Sequence, residues 1–210
     1  MKRLFSLAVL VLLSITLSAQ EERVSTSHGN VKGGARIGLS TSQISGDDLS
    51  GFHKFGVNAG LYATFPMTQN WKWMVQPELN FTMKGSHTYF TKGTYNGQLT
   101  YALNLFYLEV PVVFKWNFFK GFILEFGPQF GFNVFHQEKI NGDIDEHVQN
   151  FRIWELSGIT GLSYLIKGHY GLYFRYANSI IPVRVPNNVF NRMVNKQFNS
   201  VIMVGFYYQF

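Results

Sequence analysis

From Val31 to Phe210, apolar and polar residues alternate with a period of two. Residues 71–85, WKWMVQPELNFTMKG, show it most plainly. Trp71, Trp73, Val75, Pro77, Leu79, Phe81, Met83 and Gly85 fall on one face; Lys72, Met74, Gln76, Glu78, Asn80, Thr82 and Lys84 fall on the other. A strict two-residue period is the mark of a β-strand with two unlike faces. This run is longer than the ordinary strand of about 5–6 residues. The pattern recurs near 31–44, 55–66, 101–116, 121–136, 151–166, 170–179 and 198–210. No 3.6-residue repeat competes with it, so the expected class is all-β.

The connections alternate too. Segments 45–54, 86–100, 137–150 and 180–197 are long, whereas 67–70, 117–120 and 167–169 are short. An outer-membrane barrel has short periplasmic turns and longer extracellular loops. Eight strands with both ends in the periplasm require this order. Lipid then covers the apolar face, the polar face lines the lumen, and a closed sheet pairs every backbone group that water cannot reach. The expected fold is an eight-stranded antiparallel up-and-down transmembrane β-barrel over 31–210. Pro77, Pro111 and Pro128 lie inside strands and lack an N–H. Each is expected to coincide with a bulge or a skipped ladder bond.

Composition agrees with a lipid-facing surface. Aromatic residues make up 17% of the chain and charged residues 14%, against about 25% charged in a soluble domain. With no cysteine, disulfides, thiolate metal sites and a lipoprotein anchor are excluded. The net charge is +6; apart from Lys2 and Arg3, its lysines and arginines are scattered singly, which does not point to a nucleic-acid partner. Residues 1–19 have the layout of a signal peptide: Lys2 and Arg3, an apolar run from Leu4 to Leu13, then Ser18-Ala19. Residues 20–30 read as a polar periplasmic lead-in.

The polar faces carry Arg36, Lys72, Glu78, Lys84, Glu109, Lys115, Glu125, Glu155 and Arg175, the expected lumen network. An eight-stranded lumen is just wide enough for side chains to fill. Glu78 and Glu109 are expected at similar depth on neighbouring strands, neutralised by Arg36 and Arg175. A network of this kind plugs the barrel; the opposing reading is a selective pore or proton path. Trp71, Trp73, Trp116 and Trp154 fall on the lipid face and read as an interfacial girdle. Phe210, ending an aromatic alternating strand, reads as the signal for barrel-insertion machinery.

Catalysis finds little support. The six histidines, His28, His53, His87, His136, His147 and His169, are dispersed, and neither G-x-S-x-G nor H-E-x-x-H is present. His136 with Glu138 is the best pair for a lipid-modifying enzyme. Asp143, Asp145 and Glu146 supply hard oxygen ligands without EF-hand spacing; a solvated acidic loop tip is the expected reading. No cofactor or metal is expected. A soluble periplasmic barrel holding an apolar ligand would show the same alternation turned inside out.

GARIGLSTSQISGDD, FGVNAGLYATFPM, QPELNFTMKGS, YLEVPVVFKW, FGPQFGF, GLYFRYANSI and VGFYYQF occur in this order. Together they resemble the PorT-like outer-membrane β-barrel family of Bacteroidota-type bacteria, with YLEVP and QPELNF…KG the most specific pieces. The resemblance implies an eight-stranded barrel, and some family members serve protein export through the type IX secretion system. The expectation is therefore a multi-pass outer-membrane protein without enzymatic activity. Its partners would be outer-membrane lipid, the insertion machinery and secretion-system or surface proteins; a narrow pore or small-ligand-binding barrel is the alternative.

Overall fold

The computed structural model describes residues 31–45, 52, 54–90, 99–140, 143–144, 152–183 and 197–210. The expected signal peptide and lead-in lie outside the described residues. So do His28, His53, Asp145, Glu146 and His147.

Eight long strands form the wall: β1 (Lys32–Ser45), β2 (Lys54–Pro66), β3 (Trp73–Phe90), β4 (Leu99–Phe119), β5 (Phe122–Ile140), β7 (Trp154–Ile166), β8 (Tyr170–Ser179) and β9 (Phe198–Gln209). A two-residue piece, β6 (Asp143–Ile144), pairs with the end of β5. Each long strand pairs antiparallel with its neighbours, and β9 pairs with β1 from Gly34↔Gln209 to Ser45↔Phe198. The sheet is thereby closed.

Alternation decides the faces. In β8 the burial alternates strictly, with Leu172 and Phe174 exposed and Tyr173 and Arg175 buried. Apolar side chains therefore point outward and polar ones inward, the reverse of a soluble barrel and the arrangement lipid requires. This also rules out the inside-out soluble barrel. Outward rings gather in two belts. The lower one includes Trp73 stacked on Trp116 at 5.5 Å, Phe122 against Tyr164 at 4.6 Å and Tyr170 against Tyr208 at 5.2 Å. The upper one includes Phe106 between Phe81 and Phe135, at 6.1 and 5.6 Å. On a strand rising about 3.3 Å per residue and tilted by about 40°, the wall climbs about 25 Å from Trp116 to Phe106. That matches the apolar band of outer-membrane barrels.

Each proline sits at a gap in one ladder while its other side stays paired. The β2–β3 ladder passes from Tyr62↔Glu78 to Phe65↔Val75, skipping Pro77. The β3–β4 ladder passes from Pro77↔Val112 to Asn80↔Glu109, skipping Pro111. The β4–β5 ladder passes from Pro111↔Gln129 to Phe114↔Phe126, skipping Pro128. Register is the same on both sides of each gap, so the missing N–H costs ladder bonds without displacing a side chain.

Strands β3, β4 and β5 outrun their expected ends and continue beyond the upper belt. Much of the expected 86–100 and 137–150 loops is therefore sheet. A bulge at Val134 lets Phe106↔Phe135 give way to Tyr107↔Asn133. At Gly85, φ is +144°, a conformation that L side chains rarely adopt. There β3 approaches β1: Ser42 Oγ donates to the Gly85 carbonyl and accepts from the Gly85 N–H, both at 2.9 Å. Ile44 of β1 meets Leu103, Leu105 and Tyr107 of β4 in a buried apolar cluster across the extracellular end of the lumen.

Gly85→Ala would set a Cβ 2.0 Å from the Leu103 carbonyl oxygen. The variant is expected to lose about 2–4 kcal/mol, read as a lower urea midpoint for the loss of the compact, heat-modifiable gel band.

Candidate functional site

The lumen is where the chemistry-bearing residues converge. Alternation brings two to six buried polar side chains per long strand into a space that eight strands leave only side-chain-wide. Desolvated charges there must be matched by partners.

The lower part centres on Arg175 of β8. Its Nη1 and Nη2 donate to Glu78 Oε2 and Oε1, both at 2.7 Å, and its Nε donates to Glu125 Oε2 at 2.6 Å. One guanidinium thus bridges β8 to β3 and β5 with the fork geometry that suits carboxylates. Arg36 Nη1 donates to Glu78 Oε2 at 3.1 Å, while its guanidinium lies 3.8 Å from the centre of the Tyr173 ring. Lys115 Nζ sits 3.0 Å from Glu125 Oε1 and donates to Gln76 Oε1 at 2.8 Å. Thr64, Asn80 and Ser163 fill the remaining lone pairs on Gln76, Glu78 and Glu125.

The upper part centres on Lys84, whose Nζ lies 2.6 Å from Glu109 Oε1 and 2.8 Å from Glu155 Oε1. Thr82 and Gln129 donate to Glu109, and Ser157 and Asn199 donate to Glu155. Glu78, Lys84, Glu109, Glu125, Glu155 and Arg175 are all within 4% of complete burial. In this network four cations face four carboxylates, so it is neutral as a whole. The lower cluster carries one excess positive charge and the upper one excess negative.

The voids described among these residues are small. A void of about 10 Å³ lies among Arg36, Tyr62, Lys115, Tyr173, Arg175 and Tyr207, about the size of one water. Arg36 Nη2 and the Tyr207 hydroxyl, both without a protein partner, are suited to hold it. A second void of about 60 Å³ lies at the periplasmic mouth. Above, the apolar cluster around Ile44 closes the other end.

Of the nine expected lumen residues, eight are in the network: Arg36, Glu78, Lys84, Glu109, Lys115, Glu125, Glu155 and Arg175. Lys72 is not. It is exposed in the turn before β3, its N–H donating to Thr68 Oγ1 and Asn70 Oδ1, because alternation has no force outside the ladder. Trp71 is also displaced from the expected girdle. At φ +55° it turns back to the mouth, where Lys32 Nζ stands 4.2 Å from its ring centre and where it lines the 60 Å³ void with Met74 and Gln209. Trp73 and Trp116 occupy the lower belt, and Trp154 the opposite rim against Phe132. Phe210 closes the chain by donating its N–H to the Gly33 carbonyl at 2.9 Å.

The expected neutralisation of Glu109 also changes. Glu109 lies opposite Asn80, one step above Glu78 on its own face, so Lys84 serves it and the two arginines serve Glu78. Sequence reading missed the lumen tyrosines. Tyr62, Tyr173 and Tyr207 pack where a neighbouring strand offers glycine: a Cβ at Gly34 would meet Tyr62 at 2.2 Å, one at Gly171 would meet Tyr207 at 2.1 Å, and one at Gly205 would meet the Tyr173 hydroxyl at 2.6 Å. The recurrence of glycine on the polar face was the available signal.

Among the described residues no catalytic set assembles. His136 is exposed and the Glu138 side chain lies outside the described residues. His169 lies in a turn with Nδ1 3.1 Å from the Gln209 carbonyl oxygen. Among the described residues no three histidine or acidic side chains form a metal-holding group.

A family model described as outer membrane protein beta-barrel domain matches residues 18–184. None of the curated proteins compared matches. Neisserial surface protein A superposes with a TM-score of 0.57 at 11% identity, covering 87% of this chain and 100% of that one. Ail, the attachment invasion locus protein of Yersinia pestis, superposes with a TM-score of 0.51 at 14% identity, with the same coverage. A second Ail structure holds the heparin analogue sucrose octasulfate. At these identities the likeness establishes the fold.

Arg175→Ala would strip Glu78 and Glu125 of their shared partner, at an expected cost of about 3–5 kcal/mol. Arg175→Met combined with Glu78→Gln should recover part of this, because methionine refills the volume and a neutral amide at position 78 needs no guanidinium while its oxygen still accepts from Arg36. Urea midpoints in detergent, set into a double-mutant cycle, measure both.

Proposed function

The chain belongs to the outer membrane protein beta-barrel domain family, and from that premise we propose a non-enzymatic barrel, closed at rest, that works through its extracellular surface. The observation that carries this reading is the filled lumen. An ion network fills the middle, Ile44, Leu103, Leu105 and Tyr107 pack together at the upper end, and the voids described among the lower residues measure about 10 and 60 Å³. What such a protein binds must meet its rims and loops, which is where binding resides on rigid scaffolds. The raised wall of β3, β4 and β5 gives those loops a stiff base. Small ligands and surface proteins are both fitting occupants; the sulfated sugar held by Ail is a precedent within the fold and belongs to that protein.

Under the same proposal, residues 1–19 direct export, Trp73, Trp116 and Trp154 anchor the barrel at the interfaces, and the insertion machinery reads Phe210. A part in protein secretion rests on the PorT-like motifs, YLEVP above all. Recovery of the native protein from outer membranes as a lone monomer would count against it.

A narrow conduit is the second reading, favoured by the ionic rather than apolar lining of the lumen from Lys115 up to Glu155. Planar-bilayer recording separates the two. The closed barrel predicts no steady conductance from the wild type. A steady single-channel current that changes ion preference in Glu125→Gln would overturn it in favour of the conduit.

A further inference from the structure

The periplasmic end carries a charge pattern that neither the barrel nor its lumen explains. Each of the three short turns holds one exposed lysine: Lys72, Lys120 and Lys167. Neither aspartate nor glutamate occurs in residues 66–73, 117–122 or 166–170.

Two of these lysines are in costly places. Phe119↔Phe122 leaves Lys120-Gly121 as a two-residue connection, with φ of +30° and +93°. Lys167-Gly168 follows β7 with φ of +50° and +79°. Hairpin turns with positive φ at both central residues favour asparagine, aspartate or glycine first, because other side chains meet their own backbone. Lysine is therefore a poor choice for the turn itself. Its charge, not its conformational preference, fits the position.

The surroundings indicate what that charge meets. Lys120 Nζ lies 5.7 Å from the centre of the Phe119 ring, and the lower aromatic belt begins immediately above: Trp73, Trp116, Phe122, Tyr164 and Tyr208. Aromatic belts lie at headgroup level, and a lysine just outside one extends its ammonium among the phosphates. The three turns lie around the rim, so the charges do not converge on one pocket. A folded protein partner would cover one side of the rim; an annulus of separate anionic headgroups would meet every turn.

We propose that Lys72, Lys120 and Lys167 form a collar that selects anionic phospholipid headgroups in the periplasmic leaflet. It goes beyond the reading of a closed, surface-binding barrel and stands or falls independently of conductance.

The test is tryptophan quenching in vesicles of phosphatidylcholine containing a minor share of phosphatidylglycerol, with either lipid brominated in turn. Trp73 and Trp116 report from the collar's rim. Brominated phosphatidylglycerol should quench the full-length wild type about three- to fivefold more effectively than brominated phosphatidylcholine at equal mole fraction, with the preference fading as salt rises. In the triple variant Lys72→Gln, Lys120→Asn, Lys167→Asn the two lipids should quench alike. Asparagine suits the left-handed positions, so the variant should keep its heat-modifiable band. Equal quenching in the wild type, or a preference unchanged in the variant, overturns the proposal. Co-sedimentation with purified cell-wall sacculi, lost in the variant and unaccompanied by any lipid preference, would overturn it in favour of an anionic wall polymer.

Discussion

The absence of water in the bilayer core governs this molecule. An unpaired backbone N–H or carbonyl in hydrocarbon costs several kcal/mol, so a sheet there must close, and β9 closes it by pairing with β1 along most of the length of both strands. Closure at eight strands fixes the lumen's width. That width admits side chains and little else, so the alternating chain must supply an interior that fills it and satisfies itself. The outward aromatic face and the inward ionic network are two results of one geometric requirement.

The network also works where the wall is weakest. The three proline gaps fall in successive ladders between β2 and β5, and the lumen side chains beside them belong to both clusters, Glu109 and Gln129 to the upper one beside Pro111 and Pro128. Gln76 and Glu78 flank Pro77. Gln76 is tied to β2 through Thr64 and to β4 through Lys115, and Glu78 to β1 and β8 through the two arginines. Contacts across the lumen thus brace strands whose lateral hydrogen bonding is interrupted. Buried ion pairs are seldom a net gain over apolar packing. In this wall they act as crosslinks, and each of the eight long strands contributes a side chain to the combined network.

The alternation made the eight strands and their faces legible, and eight of nine lumen charges with them, because a ladder enforces the period that sequence displays. Legibility ended where the ladder ended. Lys72 and Trp71 continue the pattern of β3 in sequence, yet the turn before Trp73 frees them from it, and the residue expected outside closes the mouth. The extensions of β3, β4 and β5 were hidden because the short runs 86–90, 99–100 and 137–140 lie past the last clear alternation and form sheet where a neighbouring strand supplies a template. Partner choice inside the lumen was the least legible part. Which cation reaches Glu109 depends on stagger between strands, and one step of register assigns it to Lys84.

The glycines show how closely side-chain filling and strand order are coupled. Gly34, Gly38, Gly171 and Gly205 face the lumen from β1, β8 and β9, the strands that close the barrel, and the rings of Tyr62, Tyr173 and Tyr207 occupy the room they leave. Tyr173 then donates to Asn58 Oδ1 of β2 at 2.5 Å and supports Arg36 on its face, so small residues on one strand position a charge on the next. Opening a pore would require more than breaking an ion pair. Tyr62, Tyr173 and Tyr207 sit in room that glycines of the closing strands leave, and the β9–β1 seam among those strands is what the bilayer holds shut. A closed lumen is therefore the expected resting state of this wall. The two rims, free of the bilayer's demand for pairing, are where sequence has latitude to specify a task.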